Sequence, residues 1–334
     1  MSFKPTSFHL LERGNNSNLI TWTYPTLPEE SKILIQQTCF SEGLEAADLF
    51  YYKRCQKSWI YIKQFAENNK IGAFIITSLC YKPDLYKVIC DLFVRKYLDG
   101  STGVDLVKLY LKIYISNGIC LKENSPETLL KLGDFPSKTG LKGLIKNLGI
   151  EIILLYNALL IKKQILVYHP KVEELQQALH SITKLVSHRK PDDILQPLVQ
   201  NITELKKTST FYLIGTTNST LLKQQNSFHL LVNLHSLVID VSSKSKESFQ
   251  MSSLHKDIAH LMMHLAESES SESEVIEAIL KKTMDLFKYL KTFVNTEEGG
   301  KKIIVKEVES KIKNKNLQTF LINLAIAKNI MVVI

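Results

Sequence analysis

The sequence predicts a mixed α/β protein built as two lobes, an antiparallel sheet with helices followed by a three-layer α/β lobe that ends in helices. Three observations carry this. β-branched and aromatic runs dominate the first 80 residues, with helical spacing only after Pro83. Short apolar strands then alternate with amphipathic helices between residues 144 and 241. Between these regions, Pro126, Gly133, Pro136 and Gly140 crowd a stretch that reads as loop. The expected division is a first lobe over 1–120, a linker over 121–143 and a second lobe over 144–334.

In chain order, Leu19 to Pro25 alternates with period two and stops at a proline, as a strand ending in a turn does, so Ile20, Trp22 and Tyr24 should share one face. Ser58 to Gln64 and Gly72 to Leu79 are two further strands, joined by a hairpin loop over the polar stretch Ala66 to Lys70. Pro83-Asp84 opens a helix over Leu85–Leu98, and Asp105–Ser116 forms a second with Leu106, Leu109, Tyr110 and Ile113 on one side. These helices should cover one face of the sheet. Beyond the linker, Leu144–Leu160 is an apolar helix ending in the basic pair Lys162-Lys163. Gln164 to Pro170 is too short and β-prone for a helix and reads as a strand buried on both faces. Glu173–Val186 is helical, and strands follow over Phe211–Gly215, Leu230–Leu234 and Leu237–Val241. The remainder should be helical, over Leu254–Ala266, Val275–Leu290 and Leu317–Ile330, with the acidic serine tract Glu267–Glu274 as an exposed connection.

Composition narrows the function classes. With 334 residues, 45% of them apolar, the chain can bury a large core without staples, and five cysteines without CxxC spacing match a reducing compartment. No secretory signal is expected at the N-terminus. The apolar stretch Leu148–Tyr168 is interrupted by Glu151, Asn157, Lys162, Lys163 and Gln164, so no transmembrane segment is expected. The net charge of +9 comes from lysines scattered in ones and twos, without the aromatic or zinc-finger spacing of a nucleic-acid module. Such a surface is compatible with peripheral attraction to anionic membranes.

No signature of covalent chemistry is present. The chain has no GxxxxGK[ST], no GxSxG and no GxGxxG, and Gly299-Gly300-Lys301-Lys302 lacks the first glycine of a phosphate loop. His255, His260 and His264 lie on one helix, but His255 points roughly 140° from His260 and the glutamate of HExxH is missing, so no metal is expected. The carboxylate pairs Asp192-Asp193 and Glu173-Glu174 fall at helix starts, where they favour the helix dipole. No cofactor is expected. The candidate partner-binding residues are Trp22 and Tyr24, aromatic side chains beside a turn, for which core packing is the alternative use. Tyr168, His169 and Pro170 join them because they follow a buried strand, where α/β lobes tend to place functional loops.

The run Leu148 to Tyr168, a helix ending in a basic pair and leading into a buried strand, resembles the central signature of the DENN domain family. Phe211–Gly215 and Leu231–Leu234 are similar to later strands of that region, and Tyr24-Pro25 to the end of a strand in the family's first lobe. Leu166 to Glu173 and Leu254-His255-Lys256 resemble one branch of the family more narrowly. The resemblance implies a two-lobed DENN fold with a longin-like N-terminal lobe, and a guanine nucleotide exchange factor for a Rab-family small GTPase in late endosomal or secretory vesicle trafficking. Such a protein needs no catalytic acid, base or nucleophile, because it acts by binding the nucleotide-free GTPase better than the loaded one. For the narrower branch, the resemblance implies a cytoplasmic protein peripheral on late endosomes and associated with coiled-coil subunits of the Commander recycling complex. The alternative it leaves open is a non-catalytic subunit of that complex using the fold as a docking platform.

Overall fold

The computed structural model describes residues 5–13, 18–39, 48–67, 70–120, 129–132, 135, 139–208, 210–297 and 300–333. The chain separates into two compact units, 1–138 and 139–334.

The first unit comprises β1 (Pro5–Arg13), β2 (Asn18–Tyr24), α1 (Glu29–Cys39), β3 (Phe50–Cys55), β4 (Ser58–Glu67), β5 (Lys70–Ser78), α2 (Pro83–Leu98), α3 (Gly103–Ser116), β6 (Gly118–Cys120) and β7 (Leu129–Lys131). Its main sheet runs β2-β1-β5-β4-β3, antiparallel throughout. Two further strands, β1 between β2 and β5 and β3 at one edge, and the helix α1 extend the expected three-strand core. The β4–β5 ladder continues to the pair Glu67–Lys70, so most of the expected hairpin loop is strand.

Aromatic packing fixes α2 on one sheet face. Phe93 stacks on Phe8 and Phe74 with ring centroids 5.6 and 4.8 Å away, and Tyr86 lies 4.3 Å from Tyr61. Lys63, buried on that face, is answered by Asp91 of α2 and by Asp48. The other face carries α1, whose last carbonyl, at Cys39, accepts from the Tyr51 hydroxyl at 2.6 Å and the Gln64 amide at 2.9 Å. α2 and, through Tyr110 on Phe8, α3 thus cover one face as expected, and α1 adds a helix on the other. A second departure is in β2. The register shifts between Leu10 and Leu11, so Trp22 pairs with Leu10 but Ile20 with Leu11. The extra residue reverses the alternation, and Ile20 does not share a face with Trp22 and Tyr24.

The second unit opens with α4 (Leu141–Leu148) and α5 (Ile152–Leu160). One continuous helix was the expectation; Gly149, at φ +58°, breaks it, and a 3-10 turn over Gly149–Glu151 bridges the halves. Most of the expected linker lies outside the described residues, and its end belongs to α4. The stretch Leu141–Leu160 is long and apolar enough to cross a membrane by length and composition, yet 61% of its 18-residue apolar window is buried inside this unit, as in a core helix.

There follow β8 (Ile165–Tyr168), α6 (Val172–Lys184), α7 (Pro191–Ile194), β9 (Leu195–Gln196), α8 (Ile202–Lys207), β10 (Leu213–Thr216), β11 (Leu230–Asn233) and β12 (Val238–Val241). The sheet order is β12-β11-β8-β10-β9, parallel except for β12. Ile165, Leu166 and Val167 are fully buried, as the apolar run requires of a central strand. Leu166, Ile214 and Leu231 pack with Leu205 of α8 and Leu221. On the other face, a Cβ at Gly215 would stand 2.5 Å from Leu179 of α6 and from the Pro197 carbonyl, so only glycine fits.

The chain ends with α9 (Ser253–Glu267), α10 (Glu272–Lys291), β13 (Val294–Glu297), β14 (Gly300–Ile304), α11 (Val305–Lys311), α12 (Lys315–Ala327) and β15 (Met331–Val333). A small sheet, β13-β14-β15, interrupts the expected all-helical tail. The acidic serine tract is also more than an exposed connection. Ser271 caps α10 in a reciprocal box with Glu274. Glu272 accepts from the Leu141 and Lys142 backbone amides at 3.0 and 3.2 Å and from the Thr139 hydroxyl at 3.0 Å, so a carboxylate sits on the positive end of α4.

Candidate functional site

In the first unit, Trp22 and Tyr24 are half-buried against α3. α3 begins at Gly103 behind a Thr102–Asp105 capping box, and a Cβ at Gly103 would lie 2.5 Å from the Trp22 ring. Glycine at the first helical position thus lets the helix start directly on the indole. Trp22 also stacks on Phe74, and Tyr24 lies 6.0 Å from Tyr110 of α3. Both candidates therefore pack beneath a helix, leaving each only a partial edge for a partner.

The exposed apolar surface lies on the far side of that helix. Leu106 and Ile113 are buried, whereas Val104 (65% exposed), Leu111, Tyr114 (57%) and Ile115 (80%) form a stripe pointing away from the sheet. No motif marks these residues. Their only signal in the sequence is that α3 is apolar on more than one face, and a soluble surface helix should not be.

In the second unit, Tyr168, His169 and Pro170 stand at the C-terminal end of β8. β10 adjoins β8 on one side and β11 on the other, so β8 is the strand at which the parallel order changes direction, the place where open α/β sheets form a crevice. His169 is buried there. Its Nδ1 accepts from the Lys171 backbone amide at 3.1 Å, and its Nε2 lies 3.2 Å from Glu174. The His235 ring, from the turn after β11, is 6.0 Å away. A hydrogen bond from Lys171, and then the proximity of His169 and His235, hold the Glu174 carboxyl below its usual range. Tyr168 is half-buried and Pro170 exposed. Of this cluster, His235 is invisible to sequence reading because it is 66 residues from His169 and only strand order brings them together.

The loops after β9 and β10 complete this edge. Thr216 donates to the Val199 carbonyl at 2.7 Å and Asn218 to the Gln200 carbonyl at 2.8 Å. The arrangement is a set of short, tethered loops that suits contact with another macromolecule; among the described residues of this edge, no nucleophile is paired with a base and an oxyanion-type cradle.

The histidine helix resolves differently. His255 is buried and accepts the Ser252 backbone amide at Nδ1, 3.2 Å away, as the N3 partner of the α9 capping box, while His260 and His264 are exposed. Among the described residues, no group of three or more His, Cys, Asp or Glu side chains is placed to hold a metal ion.

Comparison with known proteins covers both units. Residues 138–243 match the family described as SPA, stabilization of polarity axis. The chain is 28% identical to DENN domain-containing protein 10 of Homo sapiens over 344 aligned positions, covering 96% of this chain and 95% of that protein. It is 27% identical to the protein of the same name in Mus musculus, covering 89% and 87%. For the Dictyostelium discoideum protein the identity is 27%, covering 97% of each chain.

Proposed function

Because this chain is a member of the DENN domain family, related along nearly its whole length to DENN domain-containing protein 10, we propose that it binds a Rab-family small GTPase and promotes release of its GDP. The observation that carries this reading is that the kinship spans both units, so the surface a DENN protein offers a GTPase is not confined to a fragment here. We read the first unit as the longin-like lobe and the second as the central and downstream DENN lobe. The protein works in late endosomal or secretory vesicle trafficking, in the cytoplasm and peripherally on late endosomes.

The chemistry fits a non-covalent mechanism. Exchange requires a surface that stabilises the GTPase with its nucleotide and magnesium gone, and equal affinity for both forms would shift nothing. The tethered loops around His169 and the apolar stripe of α3 are surfaces of that kind. The test is capture of the purified chain by immobilised Rab proteins, each stripped of nucleotide or loaded with GDP. The reading expects one Rab to hold the chain at least about tenfold more tightly when empty, a difference of about 1.4 kcal/mol. Equal binding to both forms across the panel rejects it.

A second reading has its own support. Val104, Tyr114 and Ile115 are more exposed than a monomer's surface helix needs, which favours a protein that is itself held by another chain. That reading is a non-catalytic subunit docked on coiled-coil subunits of the Commander complex.

A further inference from the structure

At the edge of the second unit's sheet opposite the His169 crevice, a cavity of about 520 Å³ opens by the N-terminal ends of β8 and β10. It is lined by Lys162, Gln164, Arg189, Asp193, Thr210 and Tyr212. Lys291 and Lys328 stand close enough to join its field. Burial, and then repulsion from Arg189, Lys162 and Lys291, hold the Lys328 amine below its usual range. That amine sits 3.6 Å above the Phe287 ring, and the same ring carries His188 edge-on. His188 is pushed down to about 4 by burial and by the charges of Arg189 and Lys328.

Four cations thus share one small region, and among the described residues none of them forms an ion pair. Arg189 has an evident structural use. Its guanidinium donates to the Leu159 and Leu160 carbonyls at 2.6 and 2.9 Å, closing α5, and to the Tyr212 hydroxyl at 2.7 Å. Lys162 has none. It occupies the left-handed position just past α5, at φ 54°, with the Lys163 amide bonding back to the Ala158 carbonyl. Glycine is the ordinary residue at that position, and a lysine there is held against its backbone preference.

We propose that this cavity is a binding site for a phosphate monoester carried on a hydroxylated ring, such as an inositol phosphate. Lys162 meets the phosphate as a point charge and Lys328 adds its field from above the Phe287 ring, while Arg189, already fixed, and the Tyr212 hydroxyl form the floor. Asp193, the one carboxylate among the described lining residues, would repel a bare phosphate but accepts hydrogen bonds from ring hydroxyls, which selects a ligand that carries both groups. The site lies at the opposite end of the sheet from the His169 loops and does not depend on exchange activity.

The test uses the full-length chain, calorimetric titration with soluble inositol trisphosphate, and flotation with phosphatidylcholine vesicles containing either phosphatidylinositol bisphosphate or phosphatidylserine at matched charge. Binding of the soluble headgroup and of phosphoinositide vesicles above the serine control assigns the site to a lipid; binding of the soluble compound alone assigns it to a free sugar or inositol phosphate. In both cases Lys162→Gly and Lys328→Gln should each weaken binding by about tenfold. Lys162→Gly should leave the melting temperature unchanged or raise it, since it relieves the positive φ while removing the charge. The proposal is overturned by no binding of the soluble compound, by variants that bind it like the parent, or by binding of phosphopeptides in place of inositol phosphates.

Discussion

His255 makes stability of the second unit depend on pH with a defined sign. Its ring is 2% exposed, and Nδ1 must be unprotonated to accept the Ser252 amide at the start of α9. Burial lowers its pKa from 6.5 to about 4. A group whose folded pKa is depressed stabilises fully above its unfolded pKa, and the contribution is lost as pH falls from about 6.5 towards 4, because the unfolded chain then binds the extra proton. Between about pH 8 and about pH 5.5 the loss is roughly 1.4 kcal/mol, or about 3–6 °C in melting temperature for a unit of this size. Other buried histidines add to the total slope, so the assay must isolate this one. His255→Gln keeps a side-chain acceptor at the N3 position of the capping box but cannot titrate. The expected result, from calorimetric melts of parent and variant at both pH values, is that the variant gains about 1.4 kcal/mol on the parent as the pH is lowered. Parallel pH profiles would refute the claim that His255 must be neutral to cap α9.

Three other perturbations follow from the packing. Glu272→Ala removes the carboxylate that three donors of the α4 N-terminus share and should cost about 1–2 kcal/mol in denaturant melts; a neutral result would return the acidic tract to a solvated loop. Gly215→Ala should cost roughly 2–3 kcal/mol, because the added Cβ meets the Pro197 backbone carbonyl, which cannot rotate away. Ile115→Glu on the exposed side of α3 should change stability by less than about 0.5 kcal/mol and weaken capture by whichever protein partner the stripe serves; a large drop in melting temperature would instead mean that Ile115 packs in the fold.

The parts of the fold that were legible are those where one face or both faces are buried in a regular way. β8 is read directly, since Ile165, Leu166 and Val167 can only be a doubly buried strand. α2 is equally plain, from Pro83 at its start and its apolar spacing. β1 and β3 escaped because Pro5–Arg13 and Phe50–Cys55 each mix polar and apolar residues against the alternation, their pairing being decided by neighbours far away in sequence. The Ile20 error has one cause, a single extra residue in β2, which no periodicity can foresee. At the candidate site, the sequence marks Tyr168, His169 and Pro170 by their position after a strand. It does not bring His235 and Glu174 to them, because strand order and the α6 start do that. The Lys162 position is a mixed case: the basic pair is visible, but its left-handed backbone is not.

The proposed exchange activity toward a Rab GTPase is best measured by release of a fluorescent GDP analogue from a panel of purified Rab proteins with the chain far below stoichiometric concentration. One Rab should release its nucleotide at least about tenfold faster, about 1.4 kcal/mol off the barrier. No acceleration of any Rab, with the chain still captured by a coiled-coil partner, would contradict exchange and leave the docking subunit as its function.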